Sequence, residues 1–239
     1  MTAIQLLNNA GNGVAETDIR SKMNEVIAAT NAGGASLLQV KPPNLTIFPF
    51  EALGTGVTIS KAEGATAFGM VRTDGGVGAV ERIAFRGKAV PAGGAWDATM
   101  AFWPTPIGGT AKARSGLALH ESATGKTLAL WHDTESGTPQ IFIFSYTDLN
   151  TISAVVLSGP VLQVGTFPVH FRVSYDGTNY IFKVSYDFMA SWEVLATLAK
   201  ATYFTTAADK VGLGLDTGNV QTAGTCRAAV FYYNDPDIL

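Results

Sequence analysis

The sequence predicts an all-β protein: an antiparallel jelly-roll β-sandwich preceded by a short N-terminal α-helical arm. Three observations carry this expectation. Apolar and polar residues alternate with period two through most of the chain after residue 43, as they do in strands with one face on a core and one toward water. The 26 glycines and 10 prolines recur at intervals of about 8–12 residues, the spacing of turns between short strands. Only residues 17–31 carry a strong helical pattern, so no long helices interrupt the strands and two packed antiparallel sheets follow.

Within the arm, Ile19, Met23, Val26 and Ile27 fall at i, i+4, i+7 and i+8 on one helix face. Thr17 stands where an N-cap belongs, Asp18 lies in the first turn, and Asn31-Ala32-Gly33-Gly34 ends the run. Arg20, Lys22, Asn24 and Glu25 occupy the other side. A helix of about 15 residues is marginal alone in water, so it must dock on the sandwich, on a sister copy or on another protein. Asn8-Asn9-Ala10-Gly11-Asn12-Gly13 upstream is turn chemistry. Lys41-Pro42-Pro43 blocks further helix and stiffens the exit. The expected boundary therefore lies at residue 43, with the arm over 1–43 and the sandwich over 44–239.

Beyond it, Trp96, Ala98, Met100 and Phe102 alternate with Asp97, Thr99 and Ala101. Phe171, Val173 and Tyr175 alternate with His170, Arg172 and Ser174, and Tyr180, Phe182, Val184 and Tyr186 with Ile181, Lys183 and Ser185. The last two runs meet at Tyr175-Asp176-Gly177-Thr178-Asn179, a hairpin signal. Further strands are expected over 66–72, 80–90, 115–120, 127–131, 139–146, 152–157, 192–198, 210–216 and 226–233. The single cysteine, Cys226, lies in the last of these and reads as a small buried thiol.

Composition excludes some classes. Sixteen Lys and Arg against nineteen Asp and Glu give a net charge of −3, and the cations are scattered. No basic stripe is present to neutralise phosphates, so nucleic acid is not an expected partner. There is neither a basic-then-apolar leader nor an apolar run approaching 18 residues. The expectation is a chain made in a cytoplasm and not inserted in a membrane.

Several segments resemble concanavalin A-like lectin/glucanase jelly rolls, the group that includes legume lectins, laminin G-like modules and family 16 glycosidases. They are Ser115–Lys126, the hairpin Phe171–Tyr180, Trp192-Glu193-Val194-Leu195, Asp209–Leu215 and the aromatic run Phe231-Tyr232-Tyr233. All are signatures of strand and turn order, so the resemblance implies fold rather than activity. The arm resembles the short N-terminal attachment segment of bacteriophage tail and head-fibre proteins. There a Gly-rich turn leads into a helix with an Arg and, four residues on, an Asn; Arg20 and Asn24 match that spacing.

A search for chemistry finds little. Family 16 glycosidases carry Glu-x-Asp-x-x-Glu on one strand, since alternate residues share a face and the carboxylates must flank a sugar bond; this motif is absent. His132-Asp133-Thr134-Glu135-Ser136-Gly137 reads instead as a polar turn between two strands. His120, His132 and His170 lack metal-ligand spacing, and no nucleophile elbow, phosphate loop or dinucleotide fingerprint occurs. Catalytic residues and an enzyme activity are therefore not expected. Asp216 and Asn219 supply two oxygens in a turn, against the about six to eight that calcium takes, so no cofactor is expected beyond this thin calcium candidate.

Sugar binding needs exposed aromatic rings with polar groups beside them. Trp103, Trp131, Tyr175 and Trp192 lie at or near strand ends and are the candidates, with Pro104–Gly109 as a loop beside Trp103; Trp96 reads as core. Taken together, arm and sandwich suggest a non-enzymatic bacteriophage virion structural protein, a tail or head-fibre component. Its expected partners are other virion proteins through Ile19, Arg20, Met23, Asn24, Val26 and Ile27, further copies of itself (a trimer being common in fibres), and host surface glycans. The alternatives are a stand-alone carbohydrate-binding lectin-like module and an inert capsid decoration protein.

Overall fold

The computed structural model describes residues 48–63, 68–74, 82–107, 113–133, 139–161, 169–218 and 225–238. The predicted arm, with its helix and its boundary at residue 43, lies outside them. In chain order the strands are β1 (Phe50–Leu53), β2 (Val57–Glu63), β3 (Phe68–Asp74), β4 (Ile83–Ala89) and β5 (Trp96–Ile107). There follow β6 (Arg114–His120), β7 (Thr127–Asp133), β8 (Gln140–Asp148), β9 (Thr151–Val161) and β10 (Val169–Tyr175). The last are β11 (Asn179–Ser185), β12 (Glu193–Ala199), β13 (Lys210–Asp216) and β14 (Thr225–Ile238), with a single helical turn, α1 (Lys200–Tyr203), after β12.

These strands form two antiparallel seven-stranded sheets. The first has the order β1-β4-β13-β6-β7-β8-β9 and the second β12-β11-β10-β5-β14-β3-β2. The predicted all-β sandwich is the observed fold. Its core is the alternation made physical: Trp96, Ala98, Met100 and Phe102 from β5 meet Leu117 and Leu119 from β6 and Leu213 and Leu215 from β13. Each of the larger of these side chains contributes about 1.5–3 kcal/mol by leaving water.

The hairpin is where expected. Gly177 takes φ +99°, and the Asp176 carboxylate accepts the N–H groups of Thr178 at 2.8 Å and Asn179 at 2.6 Å. Trp96 and Cys226 are core, as read from sequence.

The first sheet is apolar on its other face as well. Ile83, Phe85, Ala118, Ala129, Trp131, Phe144 and Tyr146 form a second buried cluster there. The indole of Trp131 lies across two strands: a Cβ added to Gly214 would come within 2.6 Å of the ring. Gly214 is small because the ring needs the room, whereas a Cβ on its ladder partner Gly116 would run into the Leu130 carbonyl of β7. On the same face Arg114 donates from Nε to Asp133 at 2.7 Å and from Nη1 to Asp216 at 3.1 Å. Its guanidinium lies 4.5 Å from the centre of the Phe144 ring, and all three charged residues are buried.

Two other features tie the sheets and turns. Glu51 on β1 accepts from Arg86 at 2.7 Å and from Lys61 on β2 at 2.8 Å, which joins an edge strand of one sheet to an edge strand of the other. Burial alone would raise the Glu121 carboxyl. Hydrogen bonds from the Thr124 hydroxyl, from the N–H and hydroxyl of Thr206 and from the Thr205 N–H hold it down to about 2.

Three expectations need correction. His132 and Asp133 are not in a solvated turn: β7 runs on through both, and both are buried. Pro104 and Pro106 are not in a loop but in β5, paired with β14. Among the described residues the β10 ladder on the other side of β5 ends at Phe102–Val169, so beyond that point the missing proline N–H groups leave no described β10 partner unmet. Strands β1 and β2 fall in a stretch where none was expected.

Candidate functional site

Alternation along β5 sends Trp96, Ala98, Met100 and Phe102 into the core, so Trp103 must point out of the opposite face of the second sheet. It is 48% exposed. The register sets what surrounds it. Ala229 on β14 is opposite Trp103, and Gly69 on β3 is opposite Ala229. The next row outward reads Arg227, Val71 and Ser60 across β14, β3 and β2. Neither Ala229 nor Gly69 adds height beside the indole. The result is a mostly apolar groove of about 500 Å³ walled by Trp103 and bordered by Ser60, Lys61 and Arg227. Arg227 is exposed and makes no ion pair among the described residues.

Away from the groove the same face becomes polar. Ala101 on β5 is opposite His170 on β10, and one row further Thr99 is opposite Arg172, which is opposite Lys183 on β11. Arg172 pairs with Asp97 and lies 5.5 Å from the ring centre of Trp192. Lys183 donates to the Ser174 hydroxyl at 3.2 Å; burial, then Arg172, lowers its pKa, with Asp97 opposing.

The β11–β12 connection overhangs this region. Phe188 and Met189 are consecutive non-glycine residues at φ +56° and +72°, conformations that cost on the order of 1–3 kcal/mol each. Side chains hold them there. Asp187 accepts the Ser185 hydroxyl at 2.8 Å, the Ser191 N–H at 2.8 Å and the Ser191 hydroxyl at 2.5 Å. Ser185 Oγ in turn accepts the Met189 N–H at 2.8 Å. The Ser191 and Ser185 hydrogen bonds pull Asp187 down to about 2. Phe188 is 68% exposed, and its ring lies 5.6 Å from that of His170, which burial keeps below the usual histidine range against the pull of Asp187.

Of the four aromatic residues proposed from sequence, Trp103 alone is an open wall of a groove. Trp131 is fully buried in the second cluster, donating its indole N–H to Tyr146 at 3.0 Å, so it presents no ring to a ligand. Tyr175 is half-buried, with its ring 5.0 Å from that of Tyr180 and its hydroxyl bonded to the Gly177 carbonyl. Trp192 is half-buried beside Arg172. Asp216 is buried, accepting Arg114, the Tyr146 hydroxyl and the Gly218 N–H, which takes up the carboxylate that calcium would need; Asn219 lies outside the described residues. No group of three or more His, Cys, Asp or Glu that could hold a metal occurs among the described residues.

Sequence reasoning missed Arg227 and the Phe188 loop. A positive φ is ordinarily signalled by Gly or Asn, and Tyr186-Asp187-Phe188-Met189 contains neither. The usable signal was Asp187 flanked by Ser185 and Ser191, short side chains that bond backbone locally.

No family model matches the sequence, and no curated protein matches it. Among solved structures, a functionally unknown protein from Saccharomyces cerevisiae superposes with a TM-score of 0.55 at 12% identity, over 82% of this chain and 100% of that one. An engineered GH43 glycoside hydrolase that displays both endo-xylanase and exo-arabinofuranosidase activity superposes with a TM-score of 0.50 at 14% identity, over 74% of this chain. The match covers 36% of that enzyme, so this chain spans about a third of its length. The carbohydrate-binding module CBM66 from Bacillus subtilis gives a TM-score of 0.43 at 10% identity, over 77% of this chain and 97% of the module. At these identities the first two likenesses are of fold alone.

Proposed function

We propose that the protein is a non-catalytic glycan-binding module and that a sugar ring stacks on Trp103. One observation carries this reading: a half-exposed indole walls a groove whose other strands contribute alanine and glycine, with Ser60 and Arg227 at its border. Aromatic faces take apolar C–H surfaces, and a few placed polar groups fix orientation. Two carboxylates of this face are already committed, Asp97 to Arg172 and Asp187 to its serines, which supports binding over hydrolysis.

The test is calorimetric titration with soluble xylan, arabinan, mannan and extracted bacterial surface polysaccharides. At least one should bind. Trp103→Ala should weaken that binding by about 30-fold, roughly 2 kcal/mol, with little change in thermal midpoint because the ring is half exposed. Equal affinity in wild type and variant, or no binding across the panel, overturns the reading.

A second reading adds a location. We propose that residues 1–43 attach the sandwich to a bacteriophage particle as one copy of a homo-oligomer. The support is the arm's resemblance to virion attachment segments at Arg20 and Asn24. Particles that incorporate a chain lacking residues 1–43 as well as the full chain would dismiss it.

A further inference from the structure

The groove at Trp103 is one end of a longer surface. Trp103 and Ala101 point from the same face of β5 two residues apart, about 7 Å along the strand. His170 lies opposite Ala101 on the neighbouring strand, about 5 Å to the side. The Phe188 ring lies 5.6 Å from the His170 ring, so Trp103 and Phe188 are linked on one face through Ala101 and His170. Beyond Phe188 the face continues to Trp192 and Arg172, with Lys183 and Ser174 next to them.

The Phe188 loop is built rather than incidental. Two adjacent residues sit at positive φ without a glycine, and Asp187 and Ser185 spend five hydrogen bonds holding them, counting the weaker Asp187 N–H to Ser185 Oγ contact at 3.4 Å. Such a device costs stability, and its visible product is a phenyl ring held 68% exposed in a fixed place. Tyr186, two residues earlier in the chain, and Val194, opposite Lys183 on β12, are also exposed. The surface thus sets exposed aromatic rings beside the half-buried cations Arg172 and Lys183, a pattern that suits a chain of sugars, each with an apolar C–H face and hydroxyls at its rim. A purely apolar protein partner would leave the half-buried Arg172 and Lys183 desolvated.

We propose that the outer face of the second sheet binds an extended polysaccharide chain, with Phe188 as a second stacking position beyond Trp103, rather than a single terminal sugar. This rests on the glycan-binding reading of Trp103. The experiment titrates wild type, Phe188→Ala, Phe188→Tyr and Trp103→Ala with the polysaccharides of the same panel and with their hydrolysis fragments graded by length. Wild-type affinity should climb about tenfold from the shortest to the longest binding fragments. Phe188→Ala should abolish that climb and leave short-fragment affinity unchanged, Phe188→Tyr should restore it, and Trp103→Ala should weaken every fragment. If Phe188→Ala keeps the climb, or wild type shows none, the extended site is wrong while the Trp103 site stands. If Trp103→Ala changes nothing, or no polysaccharide binds, both fall together.

Discussion

Arg114→Met is expected to destabilise the sandwich by about 3–5 kcal/mol, the cost of leaving a buried charge without its partner. Arg114 is 3% exposed and sits between Asp133 and Asp216, each fully buried. Methionine keeps much of the volume and the contact with the Phe144 ring but removes both hydrogen bonds. Two carboxylates then remain inside with one cation fewer. Arg114→Lys should cost less, since one charge stays, although an ammonium cannot reproduce the fork that reaches both acids. Urea unfolding read by tryptophan fluorescence measures both variants. A loss under about 1 kcal/mol for Arg114→Met would show that the cluster tolerates the missing cation, against the burial seen here.

Acid should weaken the fold in two stages, the first set by histidine. Burial holds His132 at about 4, against 6.5 for an ordinary histidine, and its buried Nδ1 has no hydrogen-bond partner among the described residues. Between those two values the unfolded chain binds more protons than the folded one. Stability is therefore complete above about pH 6.5, falls as pH drops through the window, and stops falling below about 4. The shift is worth on the order of 3 kcal/mol. His120 and His170, also lowered by burial, act in the same direction. The second stage belongs to Glu121, held at about 2 against 4.5, and to Asp187, held at about 2 against 3.8; their contribution is present above the higher values and lost as pH falls toward the lower. Urea midpoints at neutral pH and near pH 4.5 separate the two. Wild type should lose much of its stability between them and His132→Gln distinctly less. Equal losses would remove His132 from the account.

These two effects mark what a sequence can and cannot show. The strand alternation around Trp96, Phe171 and Tyr180 was legible because a core face and an outer face differ in polarity. So was the Asp176-Gly177 hairpin, since few sequences turn that tightly. The second buried face was not: Trp131, Phe144 and Tyr146 look like strand residues of either face, and Asp133 and Asp216 read as turn residues until the ladder aligns them with Arg114. For the same reason His132 and Asp133 looked like a turn. Pro104 and Pro106 looked like a loop because proline is normally kept out of paired strands, and only the end of the β10 ladder makes room for them. At the candidate site Trp103 was legible as one of four rings. Choosing among the four required the register, which puts Gly69 and Ala229 beside one of them and buries Trp131 entirely.

The single cysteine has a practical meaning. The Cys226 thiol, 1% exposed, faces the seam between the sheets and bonds to the carbonyls of Asp216 at 3.5 Å and Arg114 at 3.8 Å. A thiol dye reaches it only when the seam parts. Its labelling rate is thus a clock for breathing of the two layers against each other, ticking in the unmodified molecule with one signal per chain, and a ligand spanning the outer face of the second sheet would slow it.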